Sequence, residues 1–349
     1  MFGAASKILA ALAVLGFAYA CTPGSFSGDG RGAVPLSQSA KSQLSRMGSS
    51  PSAPMFIRIY KRESELEVWK KTASGGYQLF DTYAICAWSG ELGPKIYEGD
   101  RQTPEGFYTI TPGLMNPNSE FHLAINLGFP NSYDRSLGRN GSNIMIHGDC
   151  SSRGCYAMTN EQIEEIYALV RETFAGGNRS VQAQVYPFRM TAENFAEYQG
   201  NRNMSFWRNL KLGYDTHQVT GEPPVWDVCG SAYTFDTASA CGASTLSDTQ
   251  RTRLASIQTA DATALRDAIA AREERTRLAA LEAARLAEEA ATQAQRQAQA
   301  EVASAERQQA VSGFTGQIGT FFSGLFGGSR APVNDPAAPV PPPRPARYS

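Results

Sequence analysis

The chain has 349 residues, with 32 Lys and Arg against 33 Asp and Glu, a formal net charge of −1 at pH 7. That length holds one large domain or two ordinary ones. So even a charge balance gives none of the basic surface that nucleic acid requires, and no nucleic-acid partner is expected.

The first element in chain order is a targeting segment. Lys7 is a small basic head, residues 8–17 (ILAALAVLGF) are an apolar run too short to span a bilayer comfortably, and residues 18–20 (AYA) are a small-residue cleavage site. Residues 1–20 therefore read as a signal peptide. Cleavage after Ala20 would free a soluble protein. Lipidation of Cys21 would tether it instead, although Ala18 stands where a lipobox usually has Leu. Both readings place the mature chain in the periplasm or cell envelope, with any membrane contact made through a lipid anchor or the tail.

Residues 21–53 are rich in Ser, Gly and Pro and read as a flexible linker. Apolar and polar residues alternate along 55–61 and 65–70, with a hairpin turn at 62–64. Further strand candidates are 77–88, 106–111, 121–129 and 143–148, separated by turn-forming clusters. A helix should start about four residues after Cys155. Thr159 and Gln162 have capping-box spacing, and Ile163, Ile166, Tyr167, Val170 and Phe174 recur on one helical face. Residues 181–188 look like a closing strand. Phe195, Tyr198, Trp207 and Trp226 mark an extension of the same domain, which spans 54–250. Residues 251–310 lack Gly and Pro, are rich in Ala, and read as a charged helix or loose coiled coil. The Gly/Phe segment from 311 and the Pro-rich tail to 349 read as disordered.

An exported chain changes the reading of its six cysteines. Cys21 belongs to the processing site. Cys229 and Cys241 could close a short loop, and Cys86 could pair with Cys150 if their strands are neighbours. One thiol is then left over, a candidate reactive group. Residues 143–158 (NIMIHGDCSSRGCYAM) concentrate the chemistry. His147, Asp149, Cys150 and Cys155 could be read as a metal set, but structural zinc sites draw ligands from two chain segments and no second cluster exists here. No metal or other cofactor is expected. A Cys150–Cys155 disulfide is a second alternative.

A cysteine nucleophile uses more of the sequence. It needs a base and backbone N–H groups aimed at a developing oxyanion. His147 ends a strand, Cys155 precedes a helix, and Gly154 permits tight backbone geometry before the sulfur. Cys150 has neither a preceding glycine nor a following helix start.

H-G followed by S-x-G-C resembles the signature of the YkuD-type L,D-transpeptidases, cysteine enzymes of bacterial peptidoglycan. Residues 98–111 (EGDRQTPEGFYTIT), 115–135 (MNPNSEFHLAINLGFPNSYDR) and 144–159 (IMIHGDCSSRGCYAMT) resemble the YafK branch in particular. The resemblance covers roughly 54–230. It implies a mixed α/β, β-rich fold: a β-sandwich with a helix after the cysteine, here followed by a long C-terminal helix and a tail. It also implies Cys155 as nucleophile, His147 as proton donor and acceptor, the Gly148 backbone as orienter of the base, and the Gly154 N–H in an oxyanion hole. Ser152 matches the signature serine. Arg153 departs from the mainstream motif, which has histidine there, and could clamp a substrate carboxylate. Tyr108 and His122 are further candidates for substrate contact. The implied partner is the peptidoglycan stem peptide. The implied reaction is attack on the L-centre carbonyl of diaminopimelate through a thioester, followed by transfer to an amine. Two alternatives stand beside it: hydrolysis that trims stem peptides or releases a wall-attached lipoprotein, and a non-catalytic wall-binding envelope protein.

Overall fold

A computed structural model describes residues 30–325, with side chains through residue 316. The signal-peptide and Cys21 expectations, and the tail from 326, lie outside the described residues. The helices are α1 (Gln38–Arg46), α2 (Ser132–Ser136), α3 (Asn160–Ala175), α4 (Ala192–Glu197), α5 (Met204–Thr220) and α6 (Asp248–Leu325). The early strands are β1 (Met55–Tyr60), β2 (Glu65–Lys71), β3 (Tyr77–Ala84), β4 (Ala87–Trp88), β5 (Gly106–Ile110) and β6 (Met115–Asn116). The later ones are β7 (Ala124–Asn126), β8 (Met145–His147), β9 (Tyr156–Ala157), β10 (Val181–Tyr186), β11 (Trp226–Cys229) and β12 (Ala232–Phe235). The protein is mixed α/β and sheet-rich, with a long C-terminal helix.

Two five-stranded sheets carry the fold, in the orders β3-β2-β1-β10-β5 and β4-β9-β8-β7-β6. β1 (MFIRIY) is buried at every position because it has a neighbour on both edges. The 181–188 segment does not close the sheet. β10 lies inside it, parallel to β1 and antiparallel to β5. The 77–88 segment is not one strand either. It breaks at Ile85–Cys86 and contributes β3 to one sheet and β4 to the other. Ile57, Ile59, Leu66 and Val68 of the first sheet share one core with Ile125, Ile146 and Tyr156 of the second. The α3 residues Ile163, Ile166, Tyr167 and Val170 join them, so the predicted apolar face is the buried one. Thr159 caps α3 in a full capping box with Gln162.

The flexible-linker reading of 21–53 is corrected from residue 31 onward. Residues 38–46 form α1, capped by Ser37, and Leu36, Ala40 and Leu44 are buried in the main core. Three apolar side chains at helical spacing outweigh a Ser- and Gly-rich composition once a surface is there to receive them.

The extension 192–250 supplies α4, α5 and the β11–β12 hairpin. Its aromatic residues Phe195, Trp207, Tyr233 and Phe235 pack with Tyr60, Phe107, Tyr186 and Phe188 in a second cluster. The chain divides into two compact units after Arg272. From Glu273 the second unit is the continuation of α6, an exposed helix with local pairs such as Arg277–Glu274. The expectation of disorder from 311 is corrected for 311–325, which continues α6. Extending an existing helix fixes one residue per hydrogen bond formed, so glycines that would prevent nucleation do not stop propagation. Among the described residues no helix is long and apolar enough to cross a membrane.

Candidate active site

The second sheet brings the candidate residues together. β8 and β9 run in parallel, with Ile146 opposite Tyr156 and His147 opposite Ala157. Ile146 and Tyr156 are fully buried in the core. The parallel register brings Cys155, the residue just before β9, alongside β8, the strand that His147 ends.

Cys155 is the free cysteine among the described residues, and it is half-buried. Cys86 is bonded to Cys150, and Cys229 to Cys241. The first bond removes Cys150 from the metal set and from any loop with Cys155. The Cys86 N–H donates to the Ala157 carbonyl and the Cys150 N–H to the Met158 carbonyl. The disulfide thus ties both ends of the 148–155 loop to β4 and β9.

The His147 ring is 3% exposed and packs on Phe121, with ring centroids 4.8 Å apart. Its Nδ1 is 2.6 Å from the Gly148 carbonyl. A carbonyl only accepts, so Nδ1 carries the proton and Nε2 presents a lone pair. Gly148 is confined: a Cβ there would meet Asn160 Oδ1 at 2.6 Å and the His122 Cβ at 3.0 Å. Burial pushes the His147 imidazolium below its ordinary value, against smaller upward pulls from the Gly148 carbonyl and Asp149.

The Cys155 thiol lies 3.5 Å from the Asn143 carbonyl and donates to it. Burial pushes the thiol up, opposed by contact with the Met145 backbone and by the Lys95 ammonium. Both shifts favour the neutral form of their group. Lys95 is itself buried, with Nζ donating to the Tyr97 carbonyl and to Asp100. Nothing in the sequence singled it out, because one lysine in a Gly/Pro turn reads as solvated.

Three site expectations are corrected. The N–H groups of Gly154 and Cys155 do not face an open oxyanion hole. They donate to Ser152 Oγ at 3.3 and 3.1 Å, and that hydroxyl donates in turn to the Cys155 carbonyl at 2.6 Å. Ser152 is consequently spent on its own turn rather than free for substrate. A hydroxyl three residues before the sulfur can close such a ring on itself, which spacing alone does not reveal. Tyr108 is fully buried on β5, with its OH 3.2 Å from both the Glu105 carbonyl and Asp134, and it cannot touch a ligand. His122 stays a candidate: its Nε2 is 2.6 Å from Glu164 of α3, and the side chain keeps part of its surface in solvent beside Gly148. Arg153 is exposed and stays available.

Backbone strain converges here. Of the seven non-glycine residues with positive φ among the described residues, five border this region: Arg101, His122, Asn143, Asp149 and Cys150. The turn at 103–106 is fixed from below by Glu105. It pairs with Lys61 at 3.1 Å, both fully buried, and accepts from the Gly93 N–H and Trp207 Nε1.

A free half-buried thiol and an oriented imidazole on neighbouring strands are the residue types a cysteine nucleophile and its base require. The YkuD family, described as an L,D-transpeptidase catalytic domain, matches residues 52–186. The chain is 44% identical over 206 residues to "Putative L,D-transpeptidase YafK" of Escherichia coli K12, covering 59% of this chain and 81% of that protein. The chain belongs to the YkuD L,D-transpeptidase family. The same-named protein of E. coli O157:H7 matches to the same extent. Among solved structures, a mutant of the helical cell shape determining protein Pgp2 of Campylobacter jejuni is 20% identical, covers 56% of this chain and 68% of its own, and has a TM-score of 0.33. Bd1075 of Bdellovibrio bacteriovorus is 17% identical, with coverages of 48% and 61% and a TM-score of 0.28.

Proposed function

We propose that this cell-wall enzyme of the L,D-transpeptidase type works through Cys155 on peptidoglycan stem peptides. The observation that supports the reading is the one free thiol of the described catalytic region, next to the strand that ends in an imidazole whose Nε2 lone pair is fixed.

The neutral pair sets the order of events. His147 Nε2 takes the thiol proton as the sulfur attacks the carbonyl at the L-centre of diaminopimelate. The tetrahedral intermediate collapses, the C–N bond breaks, and the imidazolium returns its proton to the departing amine. A thioester remains on Cys155. An acceptor amine then attacks it, losing its proton to His147, and the C–S bond breaks to give an L,D-linked product. The Gly154 and Cys155 N–H groups can help the oxyanion only by leaving the Ser152 hydroxyl.

Cys155 keeps part of its surface in solvent. That supports a second reading in which water takes the acceptor's place, trimming stem peptides or freeing a wall-attached lipoprotein. Two disulfides within the catalytic unit support an oxidising, extracytoplasmic location. A purely wall-binding role would leave the free thiol and the oriented imidazole without use.

Mass spectrometry of muropeptides incubated with the wild-type and Cys155→Ala chains tests the proposal. New crosslinks mark transfer, and stem peptides shorter by one residue with no new crosslink mark hydrolysis. Identical products from the two chains would end the enzymatic reading.

A further inference from the structure

The region around Cys155 holds two cations that the mechanism does not use. Arg101 and Arg153 are both exposed, and neither pairs with a carboxylate among the described residues. They flank Gly154. Arg153 precedes it in sequence, and a Cβ on Gly154 would lie 4.0 Å from the Arg101 Cα.

The loop that carries Arg101 is pinned to the one that carries the sulfur. The Tyr156 hydroxyl donates to the Pro104 carbonyl at 2.7 Å. Thr103 donates to the Ser89 carbonyl through both its N–H and its hydroxyl, and the Ser89 and Ser152 hydroxyls are 3.3 Å apart. The neighbouring Asp100 does not neutralise Arg101. Its carboxylate accepts from the N–H groups of Ile96, Tyr97 and Gln102 and from Lys95. The Asp100 carboxyl consequently sits below the usual carboxylate range despite the upward push of burial. Arg101 is held at φ 54, a conformation that glycine or asparagine would adopt at lower cost. A strained, exposed arginine whose backbone lies against Gly154, the residue before the nucleophile, indicates that the side chain has a task.

We infer that Arg101 and Arg153 together form a carboxylate clamp beside Cys155, which selects stem peptides by a free carboxylate near the reacting carbonyl. The inference rests on the reading of stem peptide as substrate. Two guanidinium forks give planar, paired donors, the geometry carboxylates bind best. A stem tetrapeptide offers two such groups near the L-centre of diaminopimelate: the D-centre carboxylate of the same residue, and the C-terminal carboxylate of the residue beyond.

The test is calorimetric binding to the full chain carrying Cys155→Ala, so that no turnover intrudes. The probes are L-alanyl-γ-D-glutamyl-meso-diaminopimelyl-D-alanine and its two amides, one at the D-centre and one at the C-terminus. One amide should bind roughly tenfold more weakly than the acid, the usual scale of a charge-assisted contact, and which amide does so identifies the carboxylate. Arg101→Gln or Arg153→Gln should bring that ratio close to one. Arg101→Lys should restore part of it, which also guards against a misfolded glutamine variant. An acid-to-amide ratio unchanged by Arg101→Gln overturns the clamp, as does failure of all three peptides to bind. The proposed reaction is judged separately by the muropeptide assay on the wild-type chain.

Discussion

His147 donates from Nδ1 to the carbonyl of Gly148, the next residue in the chain, at 2.6 Å. The orienting group of the imidazole is thus a backbone carbonyl on the same turn. Such an acceptor fixes the tautomer without adding a negative charge that would favour the imidazolium. His147→Gln should lower the rate of Cys155 acylation by about 10²- to 10⁴-fold, the scale of a lost general base. A carbapenem-type β-lactam followed by intact-protein mass spectrometry measures it. An unchanged rate would remove His147 from the reaction.

The pH dependence of the thiol follows from two opposed shifts. Burial raises Cys155 and lowers His147, so the neutral pair persists through neutral pH. Alkylation of Cys155 by iodoacetamide, which needs thiolate, should stay slow at neutral pH and climb only on the alkaline side of an ordinary thiol. A fast plateau reaching into the acidic range would show a pre-formed thiolate–imidazolium pair and contradict the structure.

Ser152→Ala removes the acceptor for two N–H groups and the donor to the Cys155 carbonyl. Loss of those bonds in a half-buried turn should destabilise the fold by about 1–2 kcal/mol. With those N–H groups released, acylation should rise even as stability falls. Acylation that falls together with stability would show that the reaction needs the closed turn and not the freed N–H groups. Melting and acylation measured on the same variant distinguish the two.

The disulfides should differ in kind. Cys86–Cys150 closes a separation of 64 residues, and in the chain-entropy picture its removal by Cys86→Ser with Cys150→Ser costs about 4 kcal/mol. It should also depress Cys155 acylation, because the bond ties the 148–155 loop to β4 and β9. Cys229–Cys241, with a separation of 12, is worth about 3 kcal/mol on the same model, and its removal should leave acylation of the remaining folded protein intact. Equal effects of the two double substitutions on acylation would refute this division.

His217 on α5 is buried against Phe56 and Trp69, and burial, with Arg58 adding to it, lowers its pKa to about 4. The unfolded chain then binds the extra proton first as pH falls. The folded state loses up to about 3 kcal/mol between the ordinary histidine value and pH about 4, and no more below it. Asp215, raised by burial to about 6, works in the opposite direction over much of the same window. The clean readout is therefore the difference between wild type and His217→Gln. That difference should shrink from neutral pH towards pH 4 in urea unfolding. A constant difference would contradict the buried neutral histidine.

The main features of the site were legible because they are local. H-G and S-x-G-C place a histidine at a strand end and a cysteine before a helix. The Thr159–Gln162 box and the apolar face of α3 are fixed by 3.6-residue periodicity. The alternation around 55–70 marks the two strands and their turn, although β1 is buried at every position and not half-buried. What was misread depends on partners distant in sequence. Alpha-helix formation at 38–46 needed a core to receive Leu36, Ala40 and Leu44. Tyr108, a candidate for substrate contact by its place near a turn, is fully buried and held by Asp134.

The sequence by itself determined the family, the loop that bears the chemistry and the helix behind it, since each is written in the spacing of neighbouring residues. Only the tertiary structure decided which cysteine stays free, where β10 inserts, and that Ser152 occupies the N–H groups beside the sulfur. The physical reason is that disulfides, strand pairing and side-chain hydrogen bonds require atoms within a few ångströms of one another. For Cys86 and Cys150 that closeness is created by strands meeting across 64 residues of chain, a distance over which local pattern carries no information.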